Sequence, residues 1–361
     1  MGPAAEPFLN AIREPENLAA LAPQQWRRVL RIARRTALHP RVGEFVEKAG
    51  IAERLPLRVD EQLRAARLLA QHHHRLLGWE LGRIRRALAG TTIPRVLLKG
   101  AAYVAADLPA AQGRLADDVD LLVPRESLGE VERLLRQWGW EPLSADEYDD
   151  HYYRAWMHEL PPLRHRERGT VLDVHHTILP PTGRVHPDPA LLFQASRPIG
   201  DSGYRMLAPE DMWLHCAAHL FQDSDLSGGL RDLIDLDLML RHFGATEPGF
   251  WERLAPRAEQ LQLTGPLHYA LRYTVGWLNT PVPEAVRRQA SRVRSGGIGG
   301  WLMDPLARQA LAPEVGDGES WSGSMARRLL YLRAHWLRMP PGLLLRHLTR
   351  KAFRAARKRR T

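Results

Sequence analysis

The chain has 361 residues, 44% hydrophobic and 25% charged, which suffices for a sizeable core, predicts two domains, and matches an ordinary globular protein. No apolar run approaches the ~20 residues that span a bilayer, and the N-terminus lacks a basic start followed by an apolar block, so neither a spanning helix nor a secretory leader is expected. The formal charge of +10 is poor evidence for a nucleic-acid surface, because only four of the 51 basic residues are lysines, as in a GC-rich coding bias, and residues 346–360 alone carry eight basic side chains and no acid.

Residues 1–60 read as a segment of short helices, with PENLAALAPQQWRRVLRIARRTAL as the clearest amphipathic stretch. A longer helix follows in LRVDEQLRAARLLAQHHHRLLGWELGRIRRALAG, ending at Gly90 as a C-cap. Its consecutive His72, His73 and His74 point to different helix faces and do not converge on one metal. Between Ile93 and Leu179 the pattern changes. IPRVLLKG reads as a buried strand running into a turn, and AAYVAADL as a helix. A second strand is expected at Val119–Val123, stopped by Pro124, then a helix in RESLGEVERLLRQWG. HYYRAWMHELPPL and TVLDVHHTIL read as extended.

From Pro187 the chain again reads as helical: LAPEDMWLHCAAHLFQ, GGLRDLIDLDLMLRHFG, FWERLAPRAEQLQL and PLHYALRYTVGWL. The single cysteine, Cys216, excludes an internal disulfide, fits a reducing cytoplasmic setting, and lies among apolar neighbours as an inert buried thiol. SGGIGG and EVGDGESWSGS read as loops. The expected class is α+β: a small mixed sheet flanked by helices, with a mostly helical C-terminal half. The expected boundaries are 1–60, a core at 61–185, a helical domain at 186–320 and a basic amphipathic tail at 321–361.

Asp118-Val119-Asp120 carries the sharpest chemical signal. On a strand, residues two apart face the same way, so both carboxylates project together while Val119 and Leu121 turn to the core. Adjacent carboxylates repel unless positive charge sits between them, and their hard oxygen donors suit Mg2+ or Mn2+. Two such ions ~3.5–4 Å apart clamp the attacking and leaving oxygens of a phosphoryl transfer. A bare D-x-D also occurs at exposed acidic strand ends. Here Asp117 adds acid, the strand is too apolar for an edge, and Asp173 supplies a third carboxylate in another apolar strand, where an unpartnered acid is costly. Lys99 and Gly100 close the preceding strand and open a helix, a junction suited to anionic phosphates, though a structural glycine turn reads the same way.

Together these residues resemble the polymerase-beta-type nucleotidyltransferase superfamily, and most closely its branch of uncharacterised bacterial nucleotidyltransferase-like proteins. The likeness runs through V-L-L-K-G (Val96 to Gly100), Arg114, D-V-D-L-L-V (Asp118 to Val123), L-D-V-H-H (Leu172 to His176), L-A-P-E-D (Leu207 to Asp211), His219 and L-R-D-L-I-D-L-D (Leu230 to Asp237), over roughly residues 60–240. It implies that Asp118 and Asp120 bind both metals, that Asp173 completes the site and helps to position or deprotonate an acceptor hydroxyl, and that Lys99, Gly100 and Arg114 bind a nucleoside triphosphate. The Gly-Ser of the wider superfamily is replaced by Lys99-Gly100, so the serine that meets the nucleotide phosphate is missing.

His175 shares a strand face with Asp173 and is a candidate to orient it or to lie buried beside it. His215 and His219 share a helix face as packed histidines, with His219 a candidate to line a cleft. Arg231, Asp232 and Asp235 suit either a ligand contact or a surface ion network. The tail after Pro341 alternates apolar and basic residues, as for an anionic membrane surface, RNA or a solvated terminus. The expected activity is transfer of a nucleoside monophosphate to a hydroxyl of a small molecule, protein or RNA. A non-catalytic nucleotide-binding or basic adaptor protein on the same fold is the alternative.

Overall fold

In the computed structural model, the residues described are 6–116, 118–144, 147–222, 226, 228–292, 298–312, 321–340 and 342. Asp117, most of the two glycine-rich segments and the basic run after Gly342 lie outside them.

Helical periodicity builds the N-terminal segment. Helices α1 (Glu6–Arg13), α2 (Pro23–Arg35), α3 (His39–Lys48) and α4 (Leu57–Ala87) precede the first strand. In α2, Trp26, Val29, Ile32 and Ala33 form the buried stripe, and in α4 Val59, Leu63, Ala66, Ala70, Leu77, Leu81 and Ile84 do so. These spacings of three and four place one face of each helix on the core. Gly90, with φ of 80°, follows α4 in the left-handed conformation.

The sheet follows from short runs that are buried on both sides. Strand β1 (Val96–Leu98) passes directly into α5 (Lys99–Ala105), then come β2 (Asp118–Leu122), α6 (Leu128–Gln137), β3 (Trp140–Pro142), α7 (Glu147–Trp156), β4 (Leu163–His165) and β5 (Val171–His175). After α8 (Pro189–Ala195), β6 (Arg197–Pro198) and β7 (Arg205–Met206) complete a seven-stranded mixed sheet of order β3-β4-β5-β2-β1-β7-β6. β2 runs antiparallel to β1 and parallel to β5, so both carboxylate-bearing strands are central neighbours.

The helical half comprises α9 (Pro209–Phe221), α10 (Gly229–Thr246), α11 (Phe250–Gln260), α12 (Thr264–Leu278), α13 (Glu284–Arg292), α14 (Ile298–Leu311) and α15 (Trp321–Arg338). Helix α9 packs against α10, α11 and α12, and nearly every one of its side chains is buried. A helix buried on nearly every side belongs in the centre of a helical layer. The fold is α+β, as expected. No helix among the described residues is long and apolar enough to cross a membrane.

The structure departs from the sequence reading at four places. HYYRAW (151–156) is the second half of α7, not a strand; its aromatic and β-favouring residues mimic an extended run, but their surface is half open and the helix is supported by Arg154 with Asp150 one turn back. β6 and β7 are two-residue strands inside the region read as helical, too short to leave a period. Ile298–Gly300 begin α14 and Trp321–Ser324 begin α15, so the glycines there do not end the helices. β2 starts one residue earlier than expected, placing Asp118 within the ladder.

One buried arginine links the segments around the site. Arg41 of α3, 1% exposed, donates from Nη2 to the carbonyl of Ala110 at 2.7 Å and lies 2.9 Å from Asp235 of α10. Gly113 turns the chain above it with φ of 65°, and a Cβ there would lie 2.5 Å from the Arg41 Cα. Gly113→Ala combines a left-handed alanine with backbone overlap, so it should destabilise the fold by at least about 2 kcal/mol. Thermal melts check this; a variant that melts with the wild type would show the turn to be free to move.

Candidate functional site

The strand register builds the site. Asp120 pairs with Asp173 and Asp118 with Val171 across the parallel β2–β5 ladder, while Leu98 pairs with Asp120 across β1–β2. Residues paired side by side share a face, and so do residues two apart on one strand. Asp118, Asp120 and Asp173 therefore stand on one face of the sheet, and Lys99 emerges beside Asp120 where β1 ends.

Lys99 has φ of 44°, uncommon for a residue with a Cβ. That conformation costs about 1 kcal/mol. It turns the chain abruptly from β1 into α5 and brings Nζ to 2.9 Å from Asp120 Oδ1. The same oxygen lies 3.0 Å from His175 Nε2. Burial alone would push Asp120 upward, but Lys99 and His175 outweigh it and hold its carboxyl well below the usual range. Burial opposes the charge on Lys99, and Asp120 more than restores it. The site thus contains a buried, permanently ionised Asp120 with an ammonium against it.

The neighbouring acids are in the opposite condition. Asp118 opens to solvent at the end of β2, yet burial of its carboxyl and repulsion from Asp120 raise its pKa. Asp173 is raised to about 7, first by burial and then by Glu159 and Asp120, and its Oδ1 is buried without a hydrogen-bond partner. A carboxylate oxygen left idle beside other acids is what a missing cation would explain, and the oxygen donors of Asp118, Asp120 and Asp173 fit hard ions such as Mg2+ or Mn2+.

Above the carboxylates lies a cavity of about 390 Å³, lined by Lys99, Gly100, Tyr103, Arg114, Asp118, Asp120, His219, Arg231 and Asp232 among others. Its volume falls within the range of small-ligand sites. Gly100 has its place for packing: a Cβ would come within 3.2 Å of Arg114 Nε. Arg114 is tied to Asp235 of α10 by a short ion pair, lies 3.6 Å from Asp232, and stacks over the Tyr103 ring at 5.6 Å. His74 meets the Arg114 carbonyl at 2.7 Å, so one of the three consecutive histidines anchors this loop. His219 is open to the cavity and ringed by protein; burial and then Lys99 lower its imidazole to about 4, so it is neutral at physiological pH. His215 is fully packed and held well below its ordinary value, first by burial.

The structure thus gathers Lys99, Gly100, Arg114, Asp118, Asp120, Asp173, His175 and His219 around one sheet face and cavity. Of the two expectations for His175 the buried one holds, and its Nε2 engages Asp120, which lies diagonally across the ladder, rather than Asp173. Asp232 and Asp235 are buried in an ion network with Arg41 and Arg114, not exposed on a helix surface. Glu159 was missed. It lies in a loop after α7 and reaches the site by an isolated bridge to His175, a non-local contact without any local pattern.

A family model described as "Uncharacterised nucleotidyltransferase" matches residues 22–279, a span that contains every site residue named above. No curated protein and no solved structure matches the chain.

The raised Asp173 has a measurable consequence. Between an unfolded value near ~4 and a folded value of about 7, the folded chain binds more protons than the unfolded one, so this group's effect is to lower stability as pH rises through that window. Asp173→Asn removes the charge at nearly constant shape. It should match the wild type at about pH 4 and exceed it by about 1–3 kcal/mol at about pH 8, less than the full shift would imply because solvent reaches the group. Added magnesium should narrow the gap. Thermal melts across pH test this, and a variant less stable than the wild type at the upper end would contradict the strained-acid account.

Proposed function

The chain belongs to this family of uncharacterised nucleotidyltransferases, and from that premise we propose that it transfers a nucleoside monophosphate from a nucleoside triphosphate to a hydroxyl acceptor, with release of pyrophosphate, in a divalent-metal-dependent reaction. The observation that carries the reading is the β2–β5 register, which sets Asp118, Asp120 and Asp173 on one sheet face, with Asp118 and Asp120 lining a cavity edged with basic side chains.

In this reading Asp118, Asp120 and Asp173 hold Mg2+ or Mn2+ ions, and the bound ions supply the positive charge that offsets the triphosphate and the charge developing in transfer. Each residue has a separable task. Asp120 stays ionised at any physiological pH, so its donor is always available. Lys99 neutralises it before ligands arrive and then offers Nζ to an incoming phosphate oxygen, in place of the serine contact of the wider superfamily. Asp173 completes the ligand set and helps to position or deprotonate the acceptor hydroxyl through an oxygen that the ions leave free. Arg114, clamped by Asp235, presents a fixed guanidinium over Tyr103, and Gly100 leaves it room. Neutral His219 offers a ring nitrogen to the bound ligand without adding charge. The protein's contribution is positioning and electrostatics rather than covalent chemistry.

The acceptor class is open to a small molecule, a protein side chain or an RNA end. The basic run of residues 346–360 is proposed as a separate, salt-sensitive adhesive for RNA or an anionic membrane surface on a cytoplasmic protein, independent of the cavity.

Asp120→Asn tests the site. It deletes the charge at constant volume, and should abolish magnesium-dependent nucleotide binding in calorimetry while the chain stays folded by circular dichroism. Retention of wild-type affinity for both nucleotide and magnesium would remove Asp120 from the ligand set.

A further inference from the structure

A second cluster lies against Asp120, and apart from the contact of His175 with that carboxylate the proposed nucleotide transfer gives it no task. His158, Glu159 and His175 each offer a donor atom, and these atoms lie within 4.8 Å of one another. The backbone fixes them in place: Glu159 bridges to His175, and the amide of His176 donates to the carbonyl of His158 at 2.9 Å. The two histidine rings are tilted by 31° at 5.2 Å, and both residues are more than nine-tenths buried.

Hydrogen-bond accounting makes the cluster informative. Ionised Asp120 can only accept, so His175 donates to it from Nε2, 3.0 Å away. In a neutral ring this leaves a lone pair on Nδ1, which faces Glu159 Oε2 at 3.3 Å and has no hydrogen bond. Two lone pairs at that separation repel unless a cation lies between them. A proton on Nδ1 would answer for this one contact. It would not answer for His158, whose Nδ1 is also buried without a partner. Two buried histidines, each with an unpartnered ring nitrogen, beside a carboxylate supply the donor types of a borderline divalent ion, softer than the all-oxygen set above the sheet. A histidine that binds a metal through one nitrogen commonly donates its other N–H to a carboxylate, which is the relation of His175 to Asp120.

We propose that His158, Glu159 and His175 bind one imidazole-preferring divalent ion such as zinc, distinct from the ions of the carboxylate face, and that this ion fixes the ring of His175 and through it the orientation of Asp120. The remaining coordination positions are left for water or for Glu159's second oxygen. The site stands on these three side chains and does not depend on nucleotide transfer.

The test titrates the full-length chain with zinc chloride in excess magnesium, which keeps the hard-oxygen donors occupied, and follows binding by calorimetry and the zinc-induced melting shift. One zinc per chain is expected. His158→Ala and Glu159→Gln should each weaken binding by at least about tenfold and abolish the melting shift, whereas Asp118→Asn should leave zinc affinity within about twofold. If His158→Ala does not fold, Glu159→Gln decides, since it keeps the side-chain shape at a partly open position. Absence of stoichiometric zinc in the wild type overturns the proposal, as does zinc binding that survives Glu159→Gln or is lost in Asp118→Asn.

Discussion

The site depends on keeping one carboxylate charged inside protein. Asp120 is 3% exposed, and an isolated charge there would carry a desolvation cost of several kcal/mol. Lys99 and His175 both reach its Oδ1, and each does so because of backbone geometry: a left-handed turn at the end of β1 for the lysine, and the parallel β2–β5 ladder for the histidine. The surrounding acids then inherit the frustration that Asp120 escapes. Asp118 and Asp173 lack a comparable cation, so burial first and then repulsion from neighbouring acids push both upward. An arrangement of one satisfied and two unsatisfied carboxylates on a rigid sheet is prepared for added positive charge, and loses stability in its absence.

The helical half contributes more than a wall. Asp235 of α10 receives both Arg41 from the N-terminal helices and Arg114 from the loop before β2. Breaking such a buried pair by removing one partner typically costs about 3–5 kcal/mol. The network therefore joins three segments distant in sequence and sets the guanidinium of Arg114 at the cavity edge. α9 brings His215 and His219 toward Lys99 from the same side, both neutral, so that the helical layer adds polar contacts without competing for the carboxylates. One continuous hydrophobic cluster runs from Phe8 to Leu330 through sheet and helices alike, which makes the cavity walls parts of a shared core.

Much of this was legible in the residues. Period-two spacing placed Asp118 and Asp120 on one face, and the apolar flanks of Asp173 marked it as a strand acid in need of a partner. α11 carried a periodic stripe, whereas α9, buried on almost every side, was legible from its largely apolar run. What escaped was non-local. The pairing of Asp120 with Asp173, the diagonal reach of His175 and the arrival of Glu159 all depend on sheet order, which no window of sequence contains. Gly100 shows a different limit: a glycine at a strand–helix junction suggested close approach of a ligand, and the fold adds a second reason for it, room for Arg114. Arg41 offered no signal at all, because an arginine in an amphipathic helix ordinarily faces water, and only the fold shows it buried against Asp235. The aromatic run of α7 favoured a strand by composition, and tertiary context overrode it.

The most direct test of the central claim is anomalous diffraction from crystals grown with manganese and a nucleoside triphosphate that cannot be cleaved between its α- and β-phosphates. The account predicts manganese density in contact with the carboxylates of Asp118 and Asp120, within reach of Asp173, with the triphosphate lying across them toward Lys99. Density for the nucleotide elsewhere, or an ordered nucleotide with no manganese at these carboxylates, would contradict it.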